Sequence, residues 1–450
     1  MERLVFFYAK IEAMKYKEIK LKNFRNYTSR TFSFHEKVNL FLGKNARGKT
    51  NLLESLYVTA YGKSFRTSKE KEMVQFGEEM GIITGTFQRE LLGDEDNVIE
   101  IIIDKNGKRK GKINGIAFEK YSDIFDHVLA VVFSPEDLKI IKESPEKRRD
   151  FMNREMSSLS ISAYRNLMMY NRALQQRNAY LKQEQRDKAL LSVWDENLLL
   201  YGGGLILQRK KFIDKLNGIC KSIHEELTGG NEKIDLRYES DIGTEILESW
   251  SSLQKEEILS VESEKEINKN SGIESKNVID KNSSREETED RKAEAKKEAT
   301  KPIIRKQEEK QAIKRNQKEK EKEILEEIKE EFRSVFYDSI ESDLRNRHTT
   351  RGPQKDDIEV LINGIPARNF GSQGQQRTAA LSMKLAEIEL IKEERGEYPI
   401  LLLDDVLSEL DISRQNYLIG SLKDVQMFIT ATELPEEVVE KLPDSQVIDI

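Results

Sequence analysis

The stretch Val38-Asn39-Leu40-Phe41-Leu42-Gly43-Lys44-Asn45-Ala46-Arg47-Gly48-Lys49-Thr50 decides the fold of this 450-residue chain. Its first five residues read as a short strand running into a glycine loop. Residues Gly43 to Thr50 then fit G-x-x-x-x-G-K-[ST]. In such a loop, backbone N–H groups wrap phosphates and the following helix adds the positive end of its dipole. The glycines allow close backbone approach. Lys49 is expected to reach the β- and γ-phosphates, and Thr50 to ligate Mg²⁺. Leu52, Leu53, Leu56 and Ala60 then recur on one face of a helix. Gly43, Lys44, Asn45, Ala46, Arg47, Gly48, Lys49 and Thr50 are therefore the expected phosphate-binding residues of a nucleotide site, with Mg²⁺ as its metal.

Upstream, Ile19 and Leu21 alternate with Glu18, Lys20 and Lys22, as in a half-buried strand. Downstream, short strands continue to about Phe133, including Gly81–Gly85 and Ile99–Ile103, with Asn106-Gly107 and Asn114-Gly115 as hairpin turns. From Pro145 to Leu227 the pattern is helical. Between Ser251 and Glu330 about half of the residues are charged and none is aromatic, too little apolar surface to offset the entropy of ordering. This segment is read as disordered or loosely helical, with ordered structure resuming near Phe332. Two apolar runs follow, Pro399-Ile400-Leu401-Leu402-Leu403 and Val425-Gln426-Met427-Phe428-Ile429, separated by helical sequence around Gln415 to Leu422. Strand–helix–strand order predicts a parallel unit.

A phosphate loop needs a metal-holding carboxylate on a neighbouring strand. Leu401-Leu402-Leu403-Asp404-Asp405 supplies two carboxylates at the C-terminal end of a buried strand, where ligands bind in parallel sheets. Asp404 is expected to hold Mg²⁺, and Asp405 to be the catalytic residue that polarises an attacking water. Just upstream, Ser372-Gln373-Gly374-Gln375-Gln376 precedes a long helix, with Ser372 suited to its N-cap. The stretch resembles the S-G-G-Q signature of ABC-type ATPases, in which the serine and glycine contact the γ-phosphate held by the opposite subunit. Ser408 and Asp411 stand where such proteins have their D-loop.

Composition excludes several classes. No stretch approaches the roughly 18 apolar residues of a membrane helix. Cys220 is the one cysteine, so no internal disulfide framework exists, and His35, His127, His224 and His348 show no metal-ligand spacing. A net charge of -6, from 75 basic and 81 acidic residues, neither demands nor excludes a nucleic-acid partner. A soluble cytoplasmic protein is expected.

The motifs together resemble those of the bacterial RecF family of recombination-repair ATPases. Lys17–Tyr27 is similar to the family's opening strand, and Gly62-Lys63-Ser64-Phe65-Arg66-Thr67 to its K-S-F/H-R-T. Ser134-Pro135-Glu136-Asp137-Leu138 with Pro145 and Arg148-Arg149 resembles an interlobe signature. Leu402–Asp411 with Arg414 and Leu418 resembles a second, and Thr350-Arg351-Gly352-Pro353 and Asp356-Asp357 complete the set. Glu143, Asn153 and Gln354 depart from the usual Gly, Asp and His, and Arg47 stands where the family often has Gln.

The resemblance implies an α/β fold: an ABC-type ATPase lobe with a phosphate-loop mixed sheet, an inserted helical lobe, and here a charged insertion. The expected divisions are an N-terminal extension 1–13, an ATPase part 14–145, a helical lobe 146–250, the insertion 251–331, and 332–450 returning to the ATPase lobe. Met14 is the expected natural start. The resemblance further implies an ATP-dependent homodimer, sequence-independent binding to single- and double-stranded DNA, slow ATP hydrolysis that acts as a switch, and action with RecO and RecR in loading RecA at gaps. Lys63, Arg66, Lys108, Arg109, Lys110, Arg148 and Arg149 are the expected DNA contacts, which would make affinity fall steeply with salt. An SMC-like chromosome-structure ATPase is the alternative, but it needs heptad-patterned arms that the middle region lacks. An ABC transporter subunit would carry a Gln after the first lobe's strand and a His after the last; here those places read Phe133-Ser134-Pro135-Glu136 and Ile429-Thr430-Ala431-Thr432.

Overall fold

The structure, a computed structural model, describes residues 14–44, 46–89, 95–125, 127–184, 188–251, 289–422, 425–434, 436–440, 442 and 444–450. The extension 1–13, Asn45 of the phosphate loop, and 252–288 of the charged insertion lie outside the described residues.

The described strands form three sheets, and the parallel and antiparallel strands belong to separate ones. The antiparallel sheet runs β2-β1-β4-β5-β6-β7, made of β1 (Lys15–Phe24), β2 (Tyr27–Ser33), β4 (Met80–Gln88), β5 (Asn97–Asp104), β6 (Arg109–Ile113) and β7 (Ile116–Ala117). Strand β1 buries Tyr16, Ile19, Leu21 and Phe24 and turns Lys17, Lys20 and Lys22 outward. A bulge between Tyr16 and Glu18 shifts the alternation there. The two Asn-Gly turns close hairpins as expected; Asn114 and Gly115 sit at φ 49° and 81°, the left-handed region that such a turn requires.

The second sheet is wholly parallel, in the order β14-β3-β13-β12-β8, with β3 (Val38–Leu42), β8 (Ala130–Phe133), β12 (Ile400–Asp404), β13 (Met427–Ala431) and β14 (Ser445–Asp449). Every residue of β8, β12 and β13 is buried, as continuous apolar strands in parallel sheets are. A small third sheet joins β9 (Ile234–Glu239), β10 (Asp357–Ile362) and β11 (Ile365–Pro366).

The main helices are α1 (Lys49–Tyr61), α2 (Pro145–Leu159), α3 (Ile161–Leu181), α4 (Lys188–Leu227), α5 (Glu289–Asn346), α6 (Gln373–Arg395) and α7 (Ile412–Ser421). The chain divides into two compact units. One comprises residues 1–168, 208–239 and 356–450 and carries all three sheets; the other comprises 169–207 and 240–355.

The second unit is helical. Its centre is Arg177, fully buried, donating to Asp195 at 2.7 Å, Asp343 at 2.6 Å and Thr349 at 2.8 Å, with its guanidinium 4.3 Å from the centre of the Phe336 ring. Gly202, inside α4, is a packing glycine: a Cβ there would lie 2.5 Å from Phe332 and 2.9 Å from Tyr170. Burial on α5 begins before Phe332, where the sequence reading had order resume. Ile324 and Ile328 are already buried, and they continue as Phe332 and Phe336 at four-residue spacing. Surrounding Lys and Glu dilute this stripe in composition, but the period of one helical face survives.

Candidate nucleotide site

Strand β3 delivers the chain into the loop at Gly43, and Gly48 ends it at φ 113° as the residue before α1. Gly48 is glycine for two reasons. Its backbone is left-handed, and a Cβ would come within 2.7 Å of Asn26 and 2.9 Å of the Tyr27 hydroxyl. Those two residues clasp the loop from the β1–β2 turn. Asn26 Nδ2 donates to the Arg47 carbonyl at 3.1 Å, and Tyr27 Oη donates to the Gly48 carbonyl at 3.2 Å. Asn51 Nδ2 donates to Asn26 Oδ1 at 2.8 Å, tying α1 to the same turn. Lys44, Ala46 and Arg47 are exposed or half-exposed; Lys49 is buried and donates to the Gly43 carbonyl.

The expected carboxylate strand is not β3's immediate neighbour. Strand β13 lies between β3 and β12, paired in parallel with both. This places Thr430 of β13 at the centre of the acidic strand end. Thr50 Oγ1 donates to Asp404 Oδ1 at 2.8 Å, so the two expected metal ligands touch. Thr430 Oγ1 donates to the same oxygen at 2.9 Å and accepts the Asp405 N–H at 2.9 Å. Asp405 takes a left-handed backbone at φ 55°, which costs a non-glycine residue about 1–2 kcal/mol. Its carboxyl is raised above the usual range, first by burial and then by Asp404, while Lys49 opposes the rise. No group of three or more His, Cys, Asp or Glu placed to hold a metal ion is found among the described residues. A hydroxyl and a carboxylate in contact are hard oxygen donors, and they fit a Mg²⁺ that is otherwise bound by phosphates and water.

Thr50, Asp404 and Arg66 line one side of a polar cavity of about 570 Å³; the rest is lined mainly by the Ser134–Asp137 turn and by α2, including Asp150 and Arg154. Asp137 caps its own turn, accepting from Ser134 N and Oγ at 2.8 Å each. The Lys63–Thr67 motif is anchored by buried Glu54 of α1. Glu54 accepts two hydrogen bonds from Arg25, at 2.8 and 2.6 Å, receives the Ser64 hydroxyl, and lies 3.5 Å from Arg66.

The signature stretch forms a full capping box at the start of α6. Gln375 N donates to Ser372 Oγ at 3.2 Å and Gln375 Oε1 accepts from Ser372 N at 2.9 Å. Ser372, Gln373 and Gly374 are exposed, while Gln376 is buried and donates to the Ala367 carbonyl at 2.9 Å. Ser408 Oγ donates to the Asp405 carbonyl at 2.7 Å, and Asp411 caps α7, accepting from Arg414 N at 3.0 Å.

The seven expected DNA contacts separate. Arg148 is buried, paired with Asp357 by two bonds of 2.7 Å, and also donates to the carbonyls of Ile140, Ile141 and Glu143, so most of its guanidinium is already committed inside the protein. Arg109 turns in to Glu70 at 3.1 Å and to the Gly62 carbonyl, Arg149 donates to the Asp356 carbonyl at 2.8 Å, and Arg66 donates to Asn51 at 2.6 Å beside the cavity. Lys63, Lys108 and Lys110 are exposed. The acidic pair noted at Asp356-Asp357 is a buried-arginine holder: Asp357 takes Arg148, and Asp356 takes Arg209 at 2.8 Å. Asn153 keeps an acceptor for Arg209, at 2.8 Å.

Asn26, Tyr27, Glu54 and Thr430 escaped assignment from the sequence. Asn26 and Tyr27 were visible in the opening-strand motif, and Thr430 at the place where transporters carry His; Glu54 had no signal beyond being an acid on an apolar helix.

A strand–loop–helix phosphate cradle, a hydroxyl–carboxylate pair across one intervening strand, and an exposed capped signature serine define a P-loop ATPase head of the ABC type. A family profile described as "RecF/RecN/SMC N terminal domain" matches residues 15–447. The chain is 36% identical over 421 residues to the DNA replication and repair protein RecF of Clostridioides difficile (strain 630), covering 94% of this chain and 92% of that protein. It is 37% identical over 420 residues to that of Clostridium tetani (strain Massachusetts / E88), covering 93% of each. A solved structure of "the recombination mediator protein RecF-ATPrS in RecFOR pathway" superposes with a TM-score of 0.75 at 31% identity, covering 98% of this chain and 96% of that one. A RecF-ATP structure gives 0.73 at 30% identity, covering 98% and 97%. The chain belongs to the RecF family.

Proposed function

We propose that this protein is an ATP-gated DNA-binding protein of recombinational repair and replication-fork maintenance. Two copies close on single- or double-stranded DNA at gaps, hydrolyse ATP slowly, and help load RecA together with RecO and RecR. The observation that carries this reading is the division of the site: one half, Gly43–Thr50 with Asp404 and Asp405, is built around the phosphate loop, while Ser372–Gly374 stand exposed at a helix start. A capped helix N-terminus on the surface is suited to an anion carried by another molecule.

In this reading Lys49 binds the β- and γ-phosphates, and Asn26 and Tyr27 keep the loop in its wrapping conformation. Mg²⁺, when bound, neutralises phosphate charge. Thr50 and Asp404 are the residues that would hold it. Asp405 accepts a hydrogen bond from the attacking water; Thr430 fixes its backbone. Lys63, Lys108 and Lys110 contact the DNA backbone without reading sequence. The protein acts in the cytoplasm at the nucleoid; among the described residues no helix is long and apolar enough to cross a membrane.

The test is sedimentation velocity with and without ATP and DNA, comparing the parent with Lys49→Arg and Asp405→Asn. ATP should convert the parent to a dimer that DNA further stabilises. Asp405→Asn should hold that dimer longest, and Lys49→Arg should fail to form it. A persistent monomer with both ligands present would overturn the shared-site mechanism. A salt-independent DNA affinity would overturn the phosphate contacts.

A further inference from the structure

Ser372, Gln375 and Glu232 form one run of hydrogen bonds whose far end rests against His224, a buried histidine that nucleotide chemistry does not require. His224 lies in the last turn of α4, fully buried. Its Nδ1 is 2.9 Å from Ser382 Oγ on α6, and its Nε2 is 3.4 Å from Glu232 Oε2. The other carboxylate oxygen, Glu232 Oε1, accepts from Gln375 Nε2 at 3.0 Å. Gln375 is the residue whose Oε1 receives the Ser372 N–H at 2.9 Å. Gly229 and Gly230, at φ 60° and 78°, fold the helix end back, and the Gly230 N–H donates to the Glu225 carbonyl at 2.8 Å, so the backbone leading to Glu232 is fixed.

The amide of Gln375 is a rigid plane with a donor at one end and an acceptor at the other. A carboxylate can only accept and a backbone N–H can only donate, so both neighbours demand the same amide orientation. If Glu232 is removed, only the Ser372 N–H still orients that plane. The His224 ring stands against Glu232, its Nε2 3.4 Å from the carboxylate, and burial pushes the imidazole below its ordinary range.

We propose that Glu232 is a positioning residue for the signature motif: acting through Gln375, it holds the Ser372 hydroxyl in the orientation that meets the phosphate of a nucleotide carried by a second copy. This rests on the reading of Ser372–Gln376 as a contact made in trans, and a parent protein that fails to dimerise with ATP would remove that reading itself.

The test compares Glu232→Ala, Glu232→Gln and Gln375→Ala in an Asp405→Asn background. The dimer dissociation constant is measured by sedimentation at saturating ATP. Affinity for a fluorescent ATP analogue is measured at protein concentrations where only monomer exists. Loss of one hydrogen bond to a charged group predicts about a tenfold weaker dimer for Glu232→Ala. Monomer affinity should stay within about twofold, because the phosphate loop keeps all its contacts. Glu232→Gln still offers an acceptor oxygen and should restore most of the loss. Adding Gln375→Ala to Glu232→Ala should weaken the dimer by less than the two single losses combined. A Glu232→Ala protein that dimerises like its parent, or one whose monomer affinity falls in step with dimerisation, overturns the proposal. Should Glu232→Ala not fold, Gln375→Ala alone gives the same reading: undiminished dimerisation overturns it.

Discussion

Thr430→Val removes one hydroxyl and almost nothing else. The residue is buried on β13, and valine has its shape. Two bonds are lost together: the 2.9 Å donation to Asp404 Oδ1 and the 2.9 Å acceptance of the Asp405 N–H. Asp404 keeps the Thr50 hydroxyl at 2.8 Å, so the metal side of the site retains its partner. The Asp405 N–H keeps only the Thr430 carbonyl, at 3.1 Å, while the Asp405 carbonyl keeps the Ser408 hydroxyl at 2.7 Å. The bond from the Asp405 N–H is a neutral one that contributes about 0.5–1.5 kcal/mol, and the left-handed backbone of Asp405 costs about 1–2 kcal/mol. The hydroxyl's contribution is therefore of the size of the strain it offsets, and its loss loosens the backbone that aims the Asp405 carboxylate. Single-turnover ATP hydrolysis should fall about ten- to a hundredfold. Monomer affinity for ATP should hardly change, and Thr430→Ser, which keeps the hydroxyl, should stay within about threefold of the parent. If the valine protein hydrolyses ATP at the parent rate, Thr430 does not orient Asp405. If ATP affinity falls with turnover, the hydroxyl supports the phosphate loop instead.

Gly48→Ala should abolish ATP binding, since its Cβ meets Asn26 and Tyr27 under 3 Å and its φ is 113°; Gly218→Ala, inside α4 with open space around it, should bind normally and gain up to about 1 kcal/mol in urea unfolding. Arg177→Leu leaves Asp195 and Asp343 buried without their cation and should cost about 3–5 kcal/mol, read as a lowered urea midpoint of the helical unit, with ATP binding retained. Because burial and Asp404 raise the Asp405 carboxyl, hydrolysis at saturating ATP should be lost on acidification at a pH above the usual aspartate range: protonation removes the acceptor, so activity is present above the raised pKa and absent below it. A pH–rate profile that stays flat down to pH 4 would contradict that placement of Asp405.

Legibility in the sequence followed how local each signal was. The phosphate loop, the acidic strand end and the signature cap are contiguous motifs whose residues act within a few positions of one another, so each can be read without knowing the fold. Strand β14 was missed because Ser445–Asp449 carries only Val447 and Ile448 as apolar residues, and its pairing with β3 comes from some four hundred residues away in the chain. The same distance hid the insertion of β13 between β3 and β12. Basic clusters were the least legible. Arg148 and Arg149 are adjacent in sequence, yet one is buried on Asp357 and the other is half-buried on a carbonyl. Charge along the chain does not reveal which guanidinium already has a carboxylate waiting in another element.

The start of α6 is held from four directions by four consecutive residues. Gln375 is bound to Glu232, Gln376 to the Ala367 carbonyl, Arg377 to Glu409 at 3.0 Å, and Thr378 to Arg414 at 2.6 Å. Single hydrogen bonds at a surface contribute little, but a helix turn anchored on every side has no soft direction in which to swing. Two of these anchors, Glu409 and Arg414, belong to the segment that begins at Asp405 and is tied back to it by Ser408. A shift of the Asp405 backbone, such as loss or arrival of a γ-phosphate would impose, must therefore either break the Arg377–Glu409 and Arg414–Thr378 contacts or carry Ser372 with it.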